Sequence, residues 1–188
     1  MIRIIICSIF LIISSSSPSF ANFKKEIIEK LQVINSLEFE FKQQSDEISE
    51  QGICFMKFPG QMRCYYESEE GKEVLVTKNQ MYIIKKKFEK AYRYPIKNTQ
   101  FTILLDKNKL EQNIIKIKDY HNSNNEIIFN INTDDGISVK VMFDKYNKIL
   151  KGWETININQ TKSVFKIINP KINTDFDEDF KVPNYNNF

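Results

Sequence analysis

The sequence predicts a mainly β fold with some α: one large curved antiparallel sheet, with two helices that cover one of its faces. Three observations point there. Most of the chain alternates apolar and polar residues with a period of two, in stretches broken by short polar turns. Only two stretches show helical spacing instead. Beyond an N-terminal secretory segment, no Pro/Gly/Ser-rich linker divides the chain.

Residues 1–21 have the form of a cleavable secretory signal. Arg3 is a short cationic start, residues 4–13 are apolar but for Cys7 and Ser8, and Ser19-Phe20-Ala21 sets small residues before a cut. That apolar run is too short for a hydrocarbon core, which needs about 20 residues. Cleavage after Ala21 is therefore expected, not anchoring. A lipoprotein signal would place a cysteine at the cut, whereas Cys7 lies inside the apolar run. The expected product is soluble and exported, with residues 22–188 as one domain, a length at which roughly two-thirds of the surface is buried. Losing Arg3 takes one from a net charge of only +3, so no global charge argues for nucleic acid. Cys54 and Cys64 remain, in a compartment where disulfides form.

After the signal, Phe23, Ile27, Leu31 and Ile34 recur every three or four residues, with Ile28 beside them. This predicts an amphipathic helix over 22–35. From Leu37 the period changes to two: Leu37, Phe39 and Phe41 alternate with Glu38, Glu40 and Lys42, so a strand begins. Strands at 53–58 and 62–67 flank Pro59-Gly60, whose fixed and positive φ suit a tight turn. Strands at 73–78 and 81–86 flank Asn79-Gln80, and another runs to Tyr94. Further strands fall at 114–120, 126–131, 137–143, 149–158 and 162–168, with polar turns at 122–125, 133–136, 145–147 and 159–160. Links this short make consecutive strands antiparallel neighbours. One interruption follows Pro95: residues 100–107 set Phe101, Leu104 and Leu105 at helical spacing, a short second helix. A lone sheet cannot bury a face, so the two helices must pack on it.

Groups for catalysis are scarce. The only histidine, His121, sits in a polar turn, so neither a His-based triad nor a His-rich metal site has its parts. No glycine-rich phosphate cradle occurs. Asp134-Asp135-Gly136 reads as a turn, because the spacing of a calcium loop is missing. Asp175, Asp177, Glu178 and Asp179 read as a solvated acidic tail. No catalytic residue, metal or cofactor is expected, and the chain reads as a binding protein rather than an enzyme. Residues 72–97 hold eight cations against two acids, with Lys85-Lys86-Lys87 consecutive. That excess fits docking to an acidic partner or to anionic headgroups, and equally a charged strand edge that discourages aggregation.

Several segments, in order, resemble the LolA family of lipoprotein carriers. Residues 37–43 are similar to its first strand, and Phe58-Pro59-Gly60-Gln61-Met62-Arg63 before Cys64-Tyr65-Tyr66 to its Pro-Gly hairpin. Residues 74–77 and 81–84 resemble its next strand pair, and Arg93-Tyr94-Pro95 with residues 99–105 its short helical insert. Leu150-Lys151-Gly152-Trp153 and Phe180-Lys181-Val182-Pro183 match its last strands and closing segment. The resemblance spans the whole mature chain. It implies an unclosed β-barrel with helices lying over a concave apolar face. It also implies a periplasmic, monomeric carrier of acylated lipoproteins. Such a carrier takes its cargo from an inner-membrane lipoprotein-releasing ABC transporter and hands it to an outer-membrane receptor. Shielding matters because each buried methylene is worth about 0.8 kcal/mol. Two alternatives share the fold: a periplasmic lipid or lipoprotein sensor without transport, and a LolB-like receptor. A sensor would usually bring a second domain, and the receptor should carry a cysteine at the cut.

By parity, Cys54 and Met56 share one face of their strand, and Met62 and Cys64 share one face of the next. The resemblance puts these on the concave side, where flexible methionine suits a mobile acyl chain. Leu75 joins them as a cavity residue, and Phe101, Leu104 and Leu105 as lid residues. Phe58 stands where many family members have an arginine that ties lid to sheet, so closure is expected to lack that polar latch and to rest on apolar contact. The pairing of the cysteines stays open. If Lys57 pairs with Gln61, Cys54 faces Cys64; if the loop is only Pro59-Gly60, Cys54 opposes Tyr65. The compartment favours a bridge, whereas geometry favours free thiols, because a disulfide needs Cβ atoms near 3.8 Å and facing pairs usually sit about 4.5–5.5 Å apart.

Overall fold

A computed structural model describes residues 21–97, 99–123, 125–134, 136–156 and 161–185. The expected signal, save Ala21, and the 159–160 turn lie outside these residues, as do Asn124 and Asp135 of two other expected turns. Helix α1 (Ala21–Val33) leads into six strands: β1 (Ser36–Ser45), β2 (Ile48–Lys57), β3 (Gln61–Tyr66), β4 (Lys72–Val76), β5 (Gln80–Lys85) and β6 (Lys90–Pro95). Two helices follow, α2 (Phe101–Leu104) and α3 (Lys107–Lys116). The chain then runs through β7 (His121–Asn122), β8 (Glu126–Asn132), β9 (Ser138–Asp144), β10 (Leu150–Ile156) and β11 (Lys162–Ile172).

Among the described residues these eleven strands form one antiparallel sheet, ordered β6-β5-β4-β3-β2-β1-β11-β10-β9-β8-β7. It is two meanders joined where β1 pairs with β11, with β6 and β7 at opposite ends. The sheet is unclosed. The chain leaves one free edge at β6 and starts again at the other at β7, and α2 and α3 make that passage across the concave side. Strand order thus decides where these two helices lie.

Two expected elements are corrected. Residues 114–120 are not a strand, because the helix continues through Lys116. Asp106 caps α3 by accepting from the Asn108 and Lys109 amides, and Leu110 and Ile114, four apart, are its buried residues. Neighbouring Ile114, Ile115 and Ile117 had read as β-branched strand material, but capping and the apolar pair outweigh that weak preference. β2 also begins at Ile48, five residues earlier than expected, because Asp46 takes a left-handed φ of 48° and closes a tight hairpin onto β1.

The concave face carries the main core. α1 buries Ile27 and Leu31, with Ile34 just past its end, in the same cluster as Phe39, Phe41, Phe129 and Phe143 of the sheet. A bulge at Lys151 in β10 lets Leu150 and Trp153 both point inward although three residues apart. Gly152, at φ 149°, makes room for it: a Cβ there would sit 2.1 Å from the Phe165 carbonyl oxygen.

The opposite, convex face has its own small cluster, Leu75, Ile84 and Ala91, covered by Phe180, Val182 and Tyr185. These belong to an extended segment beyond β11. Phe176 packs on Phe55 with ring centroids 5.2 Å apart. Glu178 accepts from the Tyr65 hydroxyl at 2.7 Å and lies 3.7 Å from Arg63. The expected solvated acidic tail is therefore half right. Asp175, Asp177 and Asp179 face solvent, but Glu178, on the alternate parity, turns to the sheet. His121 is exposed on β7, as its polar surroundings suggested.

Candidate functional site: a helix-capped concave cavity

Parity along paired strands sets the inner surface. The register Lys57↔Gln61 makes the hairpin loop three residues long and brings Cys54 opposite Cys64 and Met56 opposite Met62. All four are buried on the concave side. The register continues outward, with Met62 opposite Val76, Cys64 opposite Val74, Val76 opposite Met81 and Val74 opposite Ile83. Leu75 corrects the sequence expectation. It pairs with Arg63, between two inward-facing neighbours, so it points to the convex face and packs beneath Phe180 and Val182. A residue one step out of parity cannot share the cavity.

Cys54 and Cys64 form a disulfide, their Cα atoms 4.1 Å apart. Facing pairs in an antiparallel sheet alternate between wide and narrow spacing, and this is a narrow site, near the 4.5 Å of a non-hydrogen-bonded pair. The geometric case for free thiols used a typical separation and fails at this particular rung.

A cavity of about 210 Å³ opens over this surface. Met62, Cys64, Val74, Met81 and Ile83 form one side, Trp153 and Phe165 the other, and Phe101 the roof. A row of rings lines it: Tyr66 lies edge-on to Phe41 at 4.8 Å, Phe41 stacks on Phe165 at 4.8 Å and Phe165 stacks on Trp153 at 4.1 Å across the floor, and Trp153 meets Phe101 of the roof edge-on at 6.5 Å. Offset and edge-on pairs of this kind hold apolar surface in fixed geometry. The mouth is polar. Tyr66 donates to Gln43 Oε1 at 2.8 Å, Gln43 donates to Ser163 at 3.3 Å, and Lys72 binds Glu50 at 2.5 Å while lying 4.1 Å over the Tyr66 ring. Burial, with the charge of Glu50 adding to it, pushes the Tyr66 hydroxyl well above its ordinary pKa, so it stays a neutral donor. None of the groups at this mouth forms a nucleophile–base pair, and among the described residues no cluster of His, Cys, Asp or Glu could hold a metal ion.

Sequence reading did not assign Tyr66, Met81, Ile83, Trp153 or Phe165 to the cavity. The signal was available for Tyr66, two residues beyond Cys64 on the same strand; Met81 and Ile83 are placed by pairing with Val76 and Val74, and Trp153 and Phe165 by pairing with each other. What the sequence lacked was the bulge at Lys151, without which Trp153 falls on the wrong parity.

Phe101, Leu104 and Leu105 are buried in the main core. The lid is held by polar ties as well, against the expectation of apolar closure alone. The Gly60 amide donates to the Leu105 carbonyl at 2.8 Å, joining hairpin to lid. Lys107 donates to the Ile34 carbonyl at 3.0 Å and the Gln32 carbonyl at 3.2 Å, where α1 ends, and lies 5.6 Å from the Phe58 ring centroid. A cation suits a helix C-terminus. With Phe58 in the hairpin, the lid itself supplies the charge. Lys24, reaching from α1 to the Ile117 carbonyl, fastens the far end of α3.

An unclosed barrel whose concave apolar surface is roofed by helices and rimmed by polar groups has the form of a binding protein. The sequence match agrees: residues 24–182 fit the family described as outer membrane lipoprotein carrier protein LolA. The chain belongs to that family, whose members are periplasmic binding or chaperone proteins. Among solved structures it is similar to MucB at 10% identity and a TM-score of 0.50, covering 90% of this chain and 65% of that one. A putative outer membrane lipoprotein-sorting protein domain from Vibrio parahaemolyticus gives 8% identity and 0.49, covering 84% and 93%. A LolA superfamily protein from Nitrosomonas europaea gives 9% and 0.43, covering 85% and 97%. Likeness at such identity concerns the fold. No curated protein matches the chain. Among the described residues no helix is long and apolar enough to cross a membrane.

Proposed function

We propose that this protein is a periplasmic carrier that shelters the acyl chains of lipoproteins in its concave cavity and moves them from the inner to the outer membrane. One observation supports it most: a disulfide-braced apolar cavity, roofed by Phe101 and floored by stacked rings, opens through a polar rim. Acyl chains need the apolar interior, while the ester and amide groups where those chains join the protein need donors and acceptors. Gln43, Tyr66, Thr155 and Ser163 provide them at the mouth. The cavity of about 210 Å³ is smaller than one long acyl chain, so loading requires the lid to move outward. Such lid motion exchanges buried core contacts of Phe101, Leu104 and Leu105 for contacts with cargo. An inner-membrane ABC transporter would load the protein, and an outer-membrane receptor would unload it.

The test is co-purification. Protein isolated from periplasm with its signal intact at expression should carry triacylated lipoprotein, detected by mass spectrometry. Met62→Asp puts a charge on the cavity wall and should abolish that cargo while circular dichroism keeps its β spectrum. Cargo bound equally by wild type and variant would remove the concave cavity from the function.

A further inference from the structure

A second and larger cavity, about 490 Å³, lies outside the concave mouth, where the bottom of the half-barrel meets the lid. Four separate parts of the chain build it. The β2–β3 loop gives Pro59 and Gly60, the β4–β5 loop Lys78 and Asn79, the segment after β6 Ile96 and Lys97, and the lid the rest, from Phe101 to Lys109. Its volume is in the range of small-molecule sites, about 300–1,000 Å³. Its lining separates by chemistry. Pro59, Ile96, Phe101 and Leu105 are apolar, whereas Lys78, Lys97 and Lys109 are exposed cations.

The one acid lining this cavity, Asp106, is committed to capping α3 through the Asn108 and Lys109 amides. Among the described residues none of the three lysines is in an ion pair. By contrast Lys85, Lys86, Lys72 and Lys148 all are. Three cations against one capping carboxylate leave this lining net positive beside an apolar floor. That is complementary to a molecule with an anionic head and an apolar tail. A free anion would leave the floor unused, and an acidic peptide would not need it. Phe101 strengthens the assignment, because it lines both cavities and stands as the wall between them.

We propose that this outer cavity binds a phosphate-headed amphiphile, with Lys78, Lys97 and Lys109 holding the head and Ile96, Phe101 and Leu105 the first part of the tail. The site is separate from the concave cavity and does not depend on its role as a carrier. The full mature protein is titrated by calorimetry with lysophosphatidylglycerol, with a neutral monoacylglycerol of equal chain length, and with inorganic phosphate. The charged lipid should bind at a site the neutral lipid does not use, more weakly as salt rises. In Lys78→Gln/Lys97→Gln/Lys109→Gln its Kd should increase about tenfold, with neutral-lipid binding unchanged. Failure of the carrier reading would appear differently, as loss of neutral-lipid binding while the charged site persists. Equal affinity of the triple variant and wild type for the charged lipid would overturn the proposal, as would salt-independent binding. Phosphate alone binding as tightly as the lipid would assign the site to a free anion, and preferential displacement by an acidic peptide would assign it to a protein partner. Either result rejects the amphiphile.

Discussion

Removing Arg63 should unlatch the convex face. Its side chain is 9% exposed and that of Glu73 only 2%. The guanidinium donates twice to Glu73 Oε2, through Nη2 at 2.7 Å and Nε at 3.1 Å, and through Nη1 to the carbonyl oxygens of Asp179 and Lys181. Burial opposes the charge on Arg63, but the hydrogen bond and charge of Glu73 outweigh it and hold the pKa above the ordinary guanidinium value. In Arg63→Met the Glu73 carboxylate keeps only Lys86, which is half exposed. Breaking one side of a buried pair costs about 3–5 kcal/mol. With a urea m-value of about 2 kcal/mol/M, the unfolding midpoint should fall by about 2 M. The closing segment should also loosen, and trypsin should cut after Lys181 sooner than in wild type. The double variant Arg63→Met/Glu73→Leu should recover most of the stability, since apolar replacement of a buried pair is often neutral. If Arg63→Met alone shifts the midpoint by less than about 0.5 M, the cluster is not what holds the closing segment.

Other outcomes follow from the same geometry. Denatured, unreduced protein should show no titratable thiol from Cys54 and Cys64, and Cys54→Ala/Cys64→Ala should cost about 2–4 kcal/mol; two free thiols would reject the bridge. Lys107→Met should speed amide exchange in α3 by about tenfold, reflecting lost charge-assisted bonds of roughly 1.5 kcal/mol. Phe58→Arg should not restore a latch, because the new cation would face Lys107; faster exchange in the lid is expected, and slower exchange would refute this reading. Glu154 supplies a pH dependence. Burial alone would raise its pKa, but hydrogen bonds from Lys162 and Lys140 hold it below its ordinary value of 4.5. A lowered folded pKa gives stability that is fully present above about 4.5 and lost as pH falls through the folded value. Glu154→Gln should therefore flatten the acid limb of a stability–pH curve, and an unchanged limb would rule the carboxylate out.

How much the sequence determined depends on the range of the interactions involved. Period-two alternation in residues 37–41, the Pro59-Gly60 turn and the stripe of Phe23, Ile27, Leu31 and Ile34 are local, and each specified its element without help. The identity of the helix over Lys107–Lys116 was nearly local, and was missed because a cap at Asp106 was read as part of the preceding helix. Other features needed the fold. Whether Cys54 meets Cys64 depended on a single residue of loop length, a choice between two registers of similar local cost that pairing along the whole β2–β3 ladder decides. The bulge that turns Trp153 inward arises from β9 and β10 fitting together, not from either alone. Leu75 is apolar and sits in a strand, which the sequence states; that its face is the convex one, hidden under Phe180 and Val182, depends on residues more than a hundred positions away. Lys107 is the clearest case. As a sequence it is one lysine among many, and only the packing of α3 against the end of α1 gives it carbonyl oxygens to bind and makes it the tie that holds the lid. Local chemistry chose the elements, and long-range contact decided which of their faces meet.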